Sequence, residues 1–143
     1  MTQAEFDYAA PAPPATGEEA VWFEHCRGHR LMIQRCSRCS GYQFPPRSVC
    51  KQCLAGSPDW VEASGRGTVF TYTIQHREAP GFAGRRPYVV AMVELSEGPR
   101  LLSRIVGSDD IHIGMAVEVR WASIGNDFDV PVFVSAGEPA SAG

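Results

Sequence analysis

Two Cys-x-x-Cys pairs, Cys36-Ser37-Arg38-Cys39 and Cys50-Lys51-Gln52-Cys53, stand ten residues apart. That spacing lets four thiolates converge on one tetrahedral metal ion, each pair bending back as a knuckle. Four thiolates fill the tetrahedron and leave no position for water or substrate. The expectation is therefore a structural Zn(II) held by Cys36, Cys39, Cys50 and Cys53. Gly41 and Gly56, just after the pairs, are expected to make the tight turns that aim backbone N–H groups at sulfur.

The competing readings are two disulfides or a thioredoxin-type redox pair. Against disulfides, the N-terminus carries Glu5 and Asp7 and neither a basic segment nor an apolar run, so nothing directs the chain to an oxidising compartment. Against redox chemistry, one pair would suffice. The fifth cysteine, Cys26, reads as a buried helix residue.

With 143 residues the chain has room for one ordinary domain and a small appendage. No apolar run approaches the ~18 residues of a membrane span, so no membrane association is expected and the cytoplasm is the default location. A net charge of −3 argues against a dedicated nucleic-acid binder. The charge is unevenly placed, because Arg27, Arg30, Arg35, Arg38, Arg47 and Lys51 fall in a segment without an acid. That segment is either a solvated ribbon surface or a patch for an anionic ligand or acidic partner.

Residues 1–15, with Pro11, Pro13 and Pro14 among alanines, and residues 137–143 read as disordered. Thr16-Gly17-Glu18-Glu19 has capping-box spacing and predicts a helix from near Gly17 to near Gly28, the latter as a left-handed cap. This helical segment, 16–30, carries Val21, Trp22, Phe23 and Cys26. Two large aromatics are more than so short a helix buries alone, so it docks on its own domain or on another subunit. Residues 31–60 form the ribbon, with the junction to the next part at 55–64.

Five strand-like runs occupy 61–136: Gly67 to Arg77, Tyr88 to Leu95, Arg100 to Val106, Ala116 to Trp121 and Val130 to Val134. Alternation in the first puts Phe70, Tyr72 and Ile74 on one face, read as barrel core. The second is apolar on nearly every residue, as a strand covered on both faces would be. A long first strand, a three-strand meander and a linking segment before strand four fit a five-stranded OB-type Greek-key barrel. The fold class is mainly β, with an N-terminal helix, a zinc ribbon and that barrel.

The order of these features, with Gln34-Arg35-Cys36, Phe44-Pro45-Pro46-Arg47, Ser64-Gly65-Arg66-Gly67-Thr68-Val69, Pro87-Tyr88-Val89-Val90-Ala91, Glu97-Gly98-Pro99-Arg100-Leu101-Leu102 and Ile113-Gly114-Met115-Ala116-Val117, resembles the domain of unknown function 35 family over roughly Glu18 to Val134. The resemblance implies that the ribbon is rubredoxin-like. It further implies an accessory subunit of thiolase-fold enzymes (thiolases, acyltransferases, retro-aldolases on steroid side-chain CoA esters) or of hot-dog-fold hydratases. In such complexes the partner supplies the catalytic groups, and acyl-CoA is the ligand of the assembly.

An enzyme in its own right needs a nucleophile beside a base, paired carboxylates or an open metal position, and the sequence offers none. His76 and His112 lack an orienting acid in their sequence context, and His25 and His29 beside Cys26 are a weak second metal pattern. The long loop from Arg77 to Pro87 is richer: Arg77, Phe82, Arg85 and Arg86 are candidates to clamp CoA, guanidinium on phosphate and aromatic against adenine or pantetheine. A solvated or partner-contacting loop is the alternative. Trp22 and Phe23 are the candidate partner-docking residues. Single-stranded nucleic-acid binding, which OB barrels also perform, is the reading from another class.

Overall fold

A computed structural model describes residues 3–12, 16–77, 87–108, 110–125 and 127–137. After a short helix α1 (Gln3–Phe6), helix α2 runs Gly17–Arg27. Its N-cap, Thr16, has extended geometry but makes no side-chain cap bond, so the capping box is not formed. Glu18 and Glu19 in the first turn instead act on the helix dipole. At the far end Gly28 is not left-handed; His29 is, at φ 58°. His29 and Arg30 thereby turn their N–H groups back to the carbonyls of Cys26 and His25.

The ribbon sheet has β1 (Met32–Arg35) between β2 (Tyr42–Gln43) and β3 (Asp59–Glu62), antiparallel to both. Strand β3 falls inside the stretch read as a junction. Asp59-Trp60-Val61-Glu62 is too short to announce itself, and only pairing of Ile33 with Val61 and Gln34 with Trp60 makes it a strand. The Ala63 N–H donates to the Leu31 carbonyl at 2.8 Å and carries the ladder to the threshold of the next sheet.

There β4 (Arg66–Gln75), β5 (Tyr88–Leu95), β6 (Arg100–Ile105), β7 (Ala116–Ser123) and β8 (Asp129–Ser135) close a barrel in the order β4-β5-β6-β8-β7. This is the five-stranded OB arrangement, with β4 returning to β7 over Arg66–Thr68. Gly67 is required at that corner, since a Cβ there would meet the Glu94 carbonyl oxygen at 2.5 Å. Strand β5 alternates buried and half-buried residues, so it is covered fully on one face and not, as its apolar composition suggested, on both.

A bulge between Val69 and Thr71 overturns the simple alternation read along β4. Inserting one residue shifts the faces that follow. Val69 is buried and Tyr72 packs against the core, but Phe70 and Ile74 are 43% and 42% exposed. The expectation that Phe70 fills the barrel is therefore corrected; Ile74, the register partner of buried Val89, keeps the face of Tyr72 but is exposed near the end of β4.

One apolar core runs through the whole molecule, from Trp22 and Cys26 on α2 through Leu31 and Ile33 on the ribbon to Val69, Val93 and Phe133 in the barrel. A second cluster joins Val106, Ala122, Val132 and Val134 to Phe6. The expectation of disorder in 1–15 is thus corrected for residues 3–12. Phe6 is buried, the Ser123 N–H donates to the Asp7 carboxylate at 2.8 Å, and an Arg104 guanidinium N–H donates to the Phe6 carbonyl beneath the Tyr8 ring. The apolar face of β7 and β8 supplies the burial that the sequence near Phe6 did not reveal.

Candidate metal centre and barrel face

Each cysteine pair is folded into the same local figure. In the first, the Ser40 N–H donates to the Cys36 carbonyl and the Cys36 N–H to the Gly41 carbonyl, both at 2.9 Å. In the second, Leu54 donates to Cys50 at 2.9 Å and Cys50 to Ala55 at 2.8 Å. The left-handed residues are Ser40 and Leu54, each at φ 65°, and not the glycines expected. Gly41 is needed for another reason: a Cβ would lie 2.5 Å from Gln52 Oε1 and 3.4 Å from Cys39 Sγ.

These knuckles bring the sulfurs of Cys36, Cys39, Cys50 and Cys53 within 4.8 Å of one another. Cys36 Sγ is 3.5 Å from Cys53 Sγ, and Cys39 Sγ is 3.6 Å from Cys50 Sγ. A tetrahedron with metal–sulfur bonds of about 2.3 Å has edges of about 3.8 Å, so the set fits a four-thiolate metal centre. No pair is joined as a disulfide.

Backbone donors prepare the sulfurs for the ionised form. The N–H groups of Cys39 and Arg38 approach Cys36 Sγ at 3.4 and 3.3 Å and hold its pKa below the ordinary thiol value. Those of Cys53 and Gln52 approach Cys50 Sγ and bring its pKa down to about 6. At Cys39 the Gly41 N–H favours the thiolate, but the adjacent Cys50 sulfur and burial outweigh it and push the pKa up to about 11. Cys26 is separate: burial, then the Asp129 charge, pushes its thiol up to about 12.

Among the described residues no second His, Cys, Asp or Glu group fits a metal. His25 turns to Trp60, 5.6 Å between rings, and His29 to Asp129. The basic segment is partly spent within the chain: Arg30 pairs with Glu62 at 3.5 Å, and Arg35 lies over the Tyr42 ring. Arg38, Arg47 and Lys51 stay exposed.

The other candidate residues are distributed differently. For Trp22 the structure gives the self-docked alternative. It is 8% exposed, donates from Nε1 to the Met32 carbonyl at 3.1 Å and packs on Phe23 and Phe44, so its ring is not a free docking surface. Phe23 is half-buried, edge-on to Phe128. Arg77 is exposed beyond the end of β4, whereas Phe82, Arg85 and Arg86 lie outside the described residues.

Sequence reading missed the outer face of the barrel's meander. Thr71, Met92 and Leu102 are register partners across β4, β5 and β6 and share that face. Leu102 is 64% exposed, and bulged-out Phe70 lies beneath the Arg100 guanidinium, 3.6 Å from the ring centroid. The bulge that turns Phe70 outward leaves no mark in single-sequence alternation. The only signal in the sequence is Leu101-Leu102, adjacent residues that a strand must send to opposite faces.

A cavity of about 600 Å³ lies where β4 meets β7, lined by Arg66, Thr68, Glu94, Ser96 and Glu118 among others. Its carboxylates are engaged, Glu94 by Arg100 at 3.0 Å and Glu118 by Arg120 at 2.9 Å. The four-thiolate tetrahedron leaves no open position on a metal.

A thiolate ribbon behind one helix, continuous with an OB barrel, defines a zinc-ribbon–OB protein. Two family descriptions match, "ChsH2, rubredoxin-like zinc ribbon domain" over residues 23–59 and "ChsH2, C-terminal OB-fold domain" over 60–122. A "DUF35 domain-containing scaffold protein" of Methanocaldococcus jannaschii is 37% identical over 102 residues, 69% of this chain and 72% of that protein. The chain belongs to the DUF35 family.

A "Probable enoyl-CoA hydratase alpha subunit" of Thermomonospora curvata is 43% identical over 86% of this chain. The "3-oxo-4,17-pregnadiene-20-carboxyl-CoA hydratase alpha subunit" of Mycobacterium tuberculosis is 35% identical over 76%. This chain spans 39% and 34% of the lengths of those two relatives. Among solved structures, a chain of the "Ltp2-ChsH2(DUF35) aldolase" superposes with a TM-score of 0.78 at 40% identity, covering 87% of this chain and 99% of that one. A DUF35 protein of Sulfolobus solfataricus, 18% identical with a TM-score of 0.63, shares the fold. No helix among the described residues is long and apolar enough to cross a membrane.

Proposed function

We propose that the chain is a non-catalytic accessory subunit, stabilised by structural Zn(II), that assembles with a thiolase-fold enzyme acting on acyl-CoA and completes or shields its CoA-ester channel. The observation that carries this reading is the meander face, where Leu102 is 64% exposed and Phe70 stays 43% exposed under the Arg100 guanidinium. The similarity to a chain of an aldolase complex, over nearly all of that chain, supports a thiolase-like partner. Four thiolates, two of them receiving paired backbone N–H groups, support zinc as the metal and a holding role for it.

Binding of CoA by Arg77, Phe82, Arg85 and Arg86 belongs to this proposal as a subsidiary part. Exposure of Arg77 supports it. Phe23 remains the helix residue proposed to touch a partner, since part of it reaches the surface that Trp22 does not. We assign the cytoplasm as location because four thiolates gathered to hold a metal must stay reduced.

The hydratase-named relatives favour a second reading, an accessory subunit of a hot-dog-fold enoyl-CoA hydratase. Co-expression with a thiolase-like and, separately, a hydratase-like partner decides between them by co-elution and by turnover of CoA esters. Failure to co-elute with both, together with binding of single-stranded nucleic acid at low salt, would move the chain to the nucleic-acid class. The Arg100 guanidinium covers the exposed Phe70 ring, which disfavours base stacking there.

A further inference from the structure

Gln34 and Gln43 are the most deeply buried polar side chains of the ribbon, at 1% and 2% exposure. They face each other across β1 and β2, and the Gln43 amide donates to Gln34 Oε1 at 2.7 Å. Their other side-chain bonds go to the backbone of Arg47, Val49 and Lys51, on both sides of Cys50. The Gln34 amide donates to the Arg47 carbonyl at 2.8 Å, and Gln34 Oε1 accepts the Arg47 N–H at 2.8 Å. The Gln43 amide donates to the Val49 carbonyl at 3.1 Å, and Gln43 Oε1 accepts the Lys51 N–H at 2.9 Å.

The two knuckles are otherwise anchored unequally. Cys36 directly follows β1 and is fixed by the sheet, whereas Cys50 lies in a loop outside any named strand, tied locally by an isolated bridge between Val49 and Gly56. Those local bonds shape the second knuckle but do not set its distance from the first. The glutamine pair does, because it bonds residues on both sides of Cys50 and is itself rooted in β1 and β2. We infer that Gln34 and Gln43 are the positioning residues that hold the second cysteine pair in register with the first and so preorganise the metal site. A buried amide pair suits this task because it supplies donors and acceptors together without adding charge beside thiolates.

The test is zinc affinity by chelator competition on the full chain, with Gln43→Met, Gln34→Met and the double variant; methionine keeps length and burial but removes the bonds. Loss of outer partners typically weakens metal binding about 10- to 100-fold, and each single variant is expected in that range. The double variant is expected to be scarcely weaker than either single, since the residues act as one unit. Circular dichroism of the barrel and the cobalt(II) spectrum at saturating metal should match wild type, which separates a positioning role from general destabilisation. Zinc affinities within about twofold of wild type, or losses that multiply in the double variant, overturn the inference. Should a methionine variant fail to fold, Gln43→Glu keeps the Lys51 acceptor but opposes oxygen to oxygen at Gln34 and Val49. Unchanged zinc release in that variant overturns the inference equally.

Discussion

His29 Nε2 stands 2.9 Å from Asp129 Oδ2 while the His29 ring lies flat on Trp121, the ring centroids 5.2 Å apart and the planes within 1°. The residue that ends α2 in a left-handed turn therefore also ties that helix to β7 and β8. This hydrogen-bonded pair is partly exposed and contributes at most about 1 kcal/mol. Replacing His29 by Ala loses pair and stacking and keeps the unfavourable φ, whereas Gly relieves the backbone. Urea unfolding should rank stability as wild type, then His29→Gly, then His29→Ala.

Trp22→Ala removes an indole that is buried, hydrogen-bonded to Met32 and central to the core shared by helix, ribbon and barrel. The expected loss is about 3–5 kcal/mol, read as a lower denaturation midpoint, with any defect in partner binding following from unfolding. Val21→Ala, at an exposed position on the same helix, should change stability by less than about 0.5 kcal/mol.

Leu102→Asp and Phe70→Ala target the meander face without entering the core. Both variants should unfold at the wild-type temperature or within a few degrees, yet lose co-elution with a thiolase-like partner, a dissociation constant raised about tenfold or more. Equal co-elution would remove that face from the interface.

Cys39→Ser should abolish stoichiometric zinc and unfold the ribbon, measured by metal analysis and by loss of amide protection in β1 and β2. A variant that keeps those amides protected without metal would show that the ribbon stands on packing alone.

Cys26 gives a pH signature. Its unfolded thiol ionises near the ordinary value of 9.0, while the native thiol keeps its proton up to about 12. Between those pH values the unfolded state binds fewer protons than the native state, so this residue lowers stability as pH rises. Subtracting the pH–stability curve of Cys26→Ser from that of wild type should isolate a decline confined to that alkaline window. Native Cys26 should also resist alkylation until the chain unfolds.

Much of the fold was legible. Four cysteines at knuckle spacing and five strand runs lead to ribbon and barrel because each is a local pattern with a local cause. What escaped depends on partners distant in the chain. Strand β3 exists because β1 lies beside it, Phe6 is buried because β7 and β8 present an apolar face, and Phe70 faces out because β4 bulges where it pairs with β5. Knuckle turns were placed one and two residues late for a related reason. Ser40 and Leu54 take the left-handed conformation that glycine prefers, held there by bonds to Cys36 and Cys50, and Gly41 is spared a side chain by crowding from Gln52.

The core that passes from Trp22 through Ile33 to Phe133 has a mechanical consequence. With no apolar break between ribbon and barrel, turning one against the other would open packed core, and the packing resists it. A protein that grips the barrel at Leu102 would thereby also set the bearing of the exposed Arg38, Arg47 and Lys51 on the ribbon.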